Sequence, residues 1–310
     1  MTGPVPEAAA ARSNDRQAAR PVFIIGEARS GTSLLYRTLQ KHPSFRPREL
    51  NLVEAELLTH VRRAVLFGED YPEPFIRFML ADRSAWRSFL RGTRGLRATS
   101  ILGFLPGRLW PESTWPFRLG CGVPLVRTYL AHARRARGCE RLVEKTPTNT
   151  PHMAKLKAAF PHSRLLYVHR HPVDVLGSYR RRAQVDPDGG WAAIGVDEFC
   201  RRYERAVRRV QRWLDAGHRD LLLVSYEAFV ADPVTVFTEV CAFLDEPFAA
   251  EAVEERQPQP GRWRADPHLW AGIVARTKQW TDYVLPHEAA LVQGRLATTM
   301  RLLGYGPYEL

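Results

Sequence analysis

Residues Gly26 to Ser33 read GEARSGTS, with two glycines five positions apart and a Thr and a Ser directly after the second. The apolar run PVFII precedes them and LLYRTLQK follows. A strand that turns on glycine and enters a helix points backbone N–H groups at an anion, and the helix dipole adds to the attraction. Set against the nucleotide pattern GxxxxGK[ST], both glycines and the final Ser33 are kept, but Thr32 stands where a lysine reaches the β and γ phosphates. The expected ligand is therefore a phosphate-bearing molecule other than a triphosphate. An Asp that holds magnesium at the end of an apolar strand is also lacking, because the expected strands end in Gly26, Lys145, Arg170 and Glu227. Metal-dependent phosphoryl transfer is disfavoured on both counts.

Positioning such a loop requires a sheet. Short, continuously apolar runs occur at 21–26 (PVFIIG), 141–145 (RLVEK), 164–170 (RLLYVHR) and 220–227 (DLLLVSYE), separated by helical patterns. This alternation predicts an α/β fold with a parallel β-sheet covered by helices on both faces. Helices are expected at about 33–41, 151–160, 172–182, 197–216 and 233–244, several of them opening with Pro or Asp-Pro. Between about 50 and 136 the pattern changes to helical segments broken by YPEP, RGTRG, FLPGRLWPESTWPF and LGCGVP, which predicts a mostly helical insertion. Trp86, Trp110 and Trp115 within it are candidates for an apolar acceptor mouth, with core packing as the competing role. Residues 1–20 read as a loose tail, leaving 21–310 as one domain.

Composition narrows the class. The chain of 310 residues is 45% hydrophobic with prolines and glycines spread along its length, as a globular protein requires. No apolar run approaches the roughly 20 residues of a membrane span, and Glu7 and Asp15 interrupt the tail, so neither membrane insertion nor export is expected. Cys121, Cys139, Cys200 and Cys241 are far apart and form no CxxC pair, which predicts buried thiols in a reduced, cytoplasmic protein. The formal charge of +12 predicts anionic partners without choosing among them. Much of it falls in DEFCRRYERAVRRVQRWL, where Phe199, Tyr203, Val207, Val210 and Leu214 form an apolar helical stripe. Its arginines are expected on solvated faces, with Asp197–Arg201, Glu198–Arg202 and Glu204–Arg208 as i,i+4 pairs.

GEARSGTSLL resembles the 5′-phosphosulfate loop, often PRSGTT or PKSGTT, of sulfotransferases that use 3′-phosphoadenosine 5′-phosphosulfate (PAPS). LLYVHRHPVDVLGSY is similar to their 3′-phosphate segment, in which a Ser follows a strand-ending Arg by eight residues; Arg170 and Ser178 fill these places. EKTPTN (144–149) and VSYEAFVADP (224–233) match further family segments in kind and order. The four matches extend from Pro21 to Pro233. The resemblance implies a P-loop α/β fold and metal-free transfer of a sulfuryl group from PAPS to a hydroxyl, less readily an amine, of a small-molecule or saccharide acceptor.

The same resemblance assigns residues. Arg29 and Lys145 become cations at the sulfonate, which stabilise charge where it grows during transfer. Ser30, Gly31, Thr32 and Ser33 become donors to the 5′-phosphate, whereas Arg170 and Ser178 hold the 3′-phosphate. Tyr226 is placed near the adenine, with core packing as its rival. Arg262 and Arg264 in PGRWRADP become phosphate contacts in a closing loop, although the family's glycine-rich closing motif is not matched. The attacking hydroxyl needs a base; KHPSFRPREL is similar to the carbohydrate and tyrosyl branches, where a Glu after His-Pro serves, and Glu49 occupies that place with Glu54 and Glu56 as competitors. The cytosolic small-molecule members use a histidine after Lys-Thr, but here Pro147 follows Lys145-Thr146. Two rivals stand beside this reading: a P-loop small-molecule kinase using ATP and magnesium, against which Thr32 argues, and a basic nucleic-acid binder, for which no recognition motif is present.

Overall fold

The computed structural model describes residues 20–48, 127, 130–131, 133–135, 137–185, 189–254, 273 and 279–309. Four strands form one parallel sheet flanked by helices: β1 (Val22–Gly26), β2 (Val143–Lys145), β3 (Arg164–His169) and β4 (Leu221–Ser225), in the order β2-β1-β3-β4. The chain divides into two compact units. One comprises Met1–Pro21, Ser44–Thr146 and Ala154–Ser163; the other comprises Val22–Pro43, Pro147–Met153 and Arg164–Leu310.

The second unit carries three of the strands. β1 pairs with β3 from Val22↔Arg164 to Gly26↔Val168, and β3 pairs with β4 from Leu165↔Leu221 to His169↔Ser225. All five residues of β1 are buried, which explains why its sequence is continuously apolar rather than alternating. Among the described residues of the chain the α-helices are α1 (Thr32–Lys41), α2 (Met153–Ala159, all but Met153 in the first unit), α3 (Pro172–Val185), α4 (Val196–Asp215), α5 (Tyr226–Ala231), α6 (Pro233–Leu244), α7 (Ala250–Val253), α8 (Pro286–Arg295) and α9 (Ala297–Leu302). Residue 233 shows how the sequence starts one of them: Asp232 caps α6 by accepting from the Thr235 amide at 3.0 Å, and Pro233 fills the first turn, where its missing N–H costs nothing. α4 buries Phe199, Tyr203, Val207 and Val210 of the expected stripe, whereas Leu214 near its end is only partly buried.

In the first unit, β2 is followed by Thr146, whose hydroxyl donates to Glu144 Oε1. Arg141 is fully buried; its Nε donates to the Arg20 carbonyl at 2.7 Å and its guanidinium stands over the Phe45 ring.

The strands run shorter than the apolar runs suggested. β3 stops at His169 and β4 at Ser225, so Arg170 lies just past a strand end, and Tyr226 and Glu227 open α5 although their apolar run predicts strand. The Ser225 side chain explains the switch, since its Oγ accepts from the Ala228 amide and caps the helix. The 147–152 segment is a 3-10 turn ahead of α2. Cys139, Cys200 and Cys241 are free and buried. Among the described residues no helix is long and apolar enough to cross a membrane. Much of the expected insertion at 50–136, with Trp86, Trp110 and Trp115, lies outside the described residues, as do Cys121, Glu49, Glu54, Glu56, Arg262 and Arg264.

Candidate anion-binding site

The loop from Gly26 to Gly31 leaves β1 at the carboxyl end of the second unit's strands, the edge at which open parallel sheets bind ligands. Gly26 is required there: a Cβ on it would lie 2.4 Å from the Val168 carbonyl oxygen. Gly31 has φ 97° and precedes α1, and a Cβ on it would meet the Tyr226 ring at 2.5 Å. Thr32 and Ser33 begin α1, so their amide N–H groups have no intrahelical acceptor. The Ser30 hydroxyl is fully buried and has no hydrogen-bond partner among the described residues, and a buried donor of this kind calls for an acceptor. Arg29 adopts φ 71°, a left-handed conformation that costs a non-glycine residue about 1–2 kcal/mol.

Arg29 joins the loop to the second predicted segment. Its Nε donates to Ser178 Oγ at 3.1 Å, across 149 residues of sequence. Ser178 projects from the second turn of α3, as its spacing from Arg170 implied. The Arg170 guanidinium stands 4.4 Å from the centre of the Tyr226 ring, and the same ring abuts Gly31. Arg29, Gly31, Arg170, Ser178 and Tyr226 thus form one continuous cluster, with Tyr226 between the two motifs. Thr32 is buried and Ser33 partly exposed at the head of α1. Lys145 closes β2 in the first unit, where it is buried.

A second layer holds Arg170 and was not foreseen. The Arg170 carbonyl accepts from Tyr203 OH at 2.6 Å, and its guanidinium lies 3.9 Å from Asp174. Asp174 accepts from Tyr308 OH at 2.8 Å, while His171 stacks on the Tyr308 ring at 3.7 Å. Glu227 accepts from the His171 amide and from Tyr305 OH, both at 2.8 Å. The Tyr305 hydroxyl has one proton, and giving it to Glu227 leaves His169 Nδ1, 2.8 Å away, as a donor to Tyr305. Burial lowers both rings, His169 and His171, to about 4, so they are neutral at pH 7. Packing at a strand end is thus the role these two histidines display. The sequence signal for the layer is slight: two tyrosines in GYGPY, close to the end of the chain.

The loop also borders a cleft of about 400 Å³ within the second unit, bounded by Gly26–Ala28, the Pro147–His152 turn and α4. Glu27 is buried at its edge and accepts from Tyr179 OH at 2.6 Å and from Arg202 Nη2 at 2.7 Å. Burial raises the Glu27 carboxyl above its usual range, against the opposing pull of Arg202 and the bond from Tyr179. The expected helical pairs are only partly formed. Glu204 pairs with Arg208 at 2.7 Å, whereas Arg202 turns inward to Glu27 and Asp197 pairs with Arg295. Arg202, Arg205 and Arg209 line the cleft, which corrects the expectation that all arginines of this helix face bulk solvent. The reason is geometric: positions 202, 205 and 209 share one helical face, and the fold sets that face against the loop.

The model of the "Sulfotransferase family" matches residues 21–95 and 119–250, about two thirds of the chain. The chain belongs to the sulfotransferase family. The family match takes in the loop, the Arg170–Ser178 segment and Tyr226 together. Among solved structures, a sulfotransferase domain from the curacin biosynthetic pathway is 19% identical, with 90% of this chain and 97% of that one covered at a TM-score of 0.51, a likeness of fold. A sulfotransferase domain from the Synechococcus PCC 7002 olefin synthase is 20% identical, covering 93% of this chain and 96% of its own, with a TM-score of 0.49. Sulfotransferase STF9 from Mycobacterium avium is 17% identical over 95% of this chain and 79% of that one, with a TM-score of 0.48. No curated protein matches the sequence.

Proposed function

We propose that this sulfotransferase takes its sulfuryl group from PAPS and delivers it to a hydroxyl of a saccharide, lipid or natural product, without a metal ion. The observation that carries the reading is the Arg29–Ser178 hydrogen bond, which ties the loop suited to a 5′-phosphosulfate to the segment suited to a 3′-phosphate. The donor set fits such a ligand: first-turn amides of α1, the buried Ser30 hydroxyl and two arginines within a single cluster. PAPS supplies an activated S–O bond whose cleavage leaves the electron pair on phosphate.

In this reading Arg29 lies where charge collects on the bridging oxygen and the sulfonate, and its donor is already oriented by Ser178. Lys145 adds a second cation there. The amides and hydroxyls of Ser30, Gly31, Thr32 and Ser33 hold the 5′-phosphate, Arg170 and Ser178 the 3′-phosphate, and Tyr226 borders the base. Arg262 and Arg264 contribute phosphate contacts. Glu49 accepts the acceptor's proton as the new S–O bond forms.

Calorimetry tests the donor. The expected result is PAP binding without magnesium and no response to ATP with magnesium; the reverse preference would establish a kinase instead. With a labelled-PAPS acceptor screen in hand, Glu49→Gln is expected to lower the rate by about 10²–10⁴, the usual worth of a general base, at unchanged PAP affinity. Full activity of that variant would move the base to Glu54 or Glu56.

A further inference from the structure

The cleft beside the loop has an unbalanced charge. Of the described residues that line it, Glu27 alone is acidic, against Arg202, Arg205 and Arg209. The Glu27–Arg202 pair at 2.7 Å cancels one charge of each sign. Two cations are left over. Arg205 donates its Nε to the Arg201 carbonyl at 3.1 Å, a contact that leaves its charge unneutralised, and Arg209 has neither a hydrogen bond nor an ion pair among the described residues. Like charges on one helical face repel, so placing them together costs free energy that an anion between them would recover.

The place of the cleft gives this charge a use. Ala28 lines it and is bonded to Arg29, and neighbouring Cα atoms are about 3.8 Å apart. A molecule seated there reaches the residue next to Arg29, whose Nε is turned to Ser178. Thr148 lines it as an exposed hydroxyl. The cleft's volume of about 400 Å³ suits a ring-sized group, at the small end of ordinary ligand sites of roughly 300–1,000 Å³.

We infer that the cleft is the acceptor subsite and that it selects an acceptor bearing an anionic group, a carboxylate, sulfate or phosphate ester, which Arg205 and Arg209 hold while the acceptor's hydroxyl faces Arg29. The inference rests on the sulfuryl-transfer reading and adds the acceptor's chemical class to it. The two arginines act on the acceptor alone, so they discriminate between acceptors without touching the nucleotide.

The test uses PAP-saturated protein and two probe pairs, p-hydroxybenzoate and glucuronate, each with its methyl ester. Calorimetry should show at least one acid bound about tenfold or more tighter than its ester, the scale of one charge-assisted hydrogen bond. In the Arg205→Gln, Arg209→Gln double variant this preference should drop below about twofold, with PAP affinity and melting temperature unchanged. Equal binding of acids and esters, no binding of either acid, or a preference that survives the double substitution would overturn the inference. Failure of the unmodified protein to bind PAP would instead sink the donor assignment, so the two failures are distinguishable.

Discussion

Arg29 is strained and tethered at once: its backbone sits at φ 71° while its side chain donates to Ser178 at 3.1 Å. A conformation costing about 1–2 kcal/mol persists only where the surroundings over-determine it, and here the tether to α3 and the Gly26 contact with β3 do so. Such strain is placed where a side chain must be held ready. Arg29→Ala is therefore expected to remove transfer activity by at least about 10²-fold, the scale of one preorganised electrostatic donor, without loss of folding. Arg170→Ala should instead weaken PAP binding by about 10–100-fold, as loss of charge-assisted hydrogen bonds does, with little effect on acceptor binding. Rate measurements and calorimetry on both variants check the division of labour; a near-normal rate for Arg29→Ala would reject its role.

At the scale of elements, Arg170 depends on the segment after α9. Tyr305 and Tyr308 bind Glu227 and Asp174, which contact His171 and Arg170 just past the strand end, so residues 305 and 308 brace a site built by β3 and α3. Tyr308→Phe removes one hydrogen bond and should weaken PAP about fivefold, the worth of roughly 1 kcal/mol. A chain ending at Leu303 loses the stack on His171 as well and should weaken it further. Unaltered PAP affinity in the shortened chain would show that α3 orients Arg170 unaided. The same scale accounts for the misread arginines. α4 carries Arg201, Arg202, Arg205, Arg208, Arg209 and Arg212. Its apolar stripe tells which face is buried in the core, but not which polar face meets the loop.

For the molecule as a whole, the two buried histidines set a pH dependence. Their folded values of about 4 lie below the ordinary 6.5, so the unfolded chain binds more protons in this window. Stability is then greatest above pH 6.5 and is lost as pH falls toward 4, by up to about 3 kcal/mol per ring. Glu27 opposes this, because burial raises its carboxyl and folded protein holds that proton more tightly above pH 4.5. Urea unfolding at pH 7 and pH 5 should show the loss, and a His169→Asn, His171→Asn variant should show a flatter profile. An unchanged profile would mean that the rings are solvated in the folded protein.

Local physics made the sheet and the glycine turn legible, and the resemblance to sulfotransferases the Arg170–Ser178 spacing. An apolar run buried on both faces, a Pro after a capping Asp and a glycine at a forced turn each depend on neighbours in sequence. Tertiary structure alone decided the rest. Arg29 meets Ser178 across 149 residues, Tyr226 sits between Gly31 and Arg170, and Arg202 pairs with Glu27 rather than with Glu198 one turn away. Each of these contacts joins separate elements, and only the folding of the sheet and its helices brings their partners within hydrogen-bonding range.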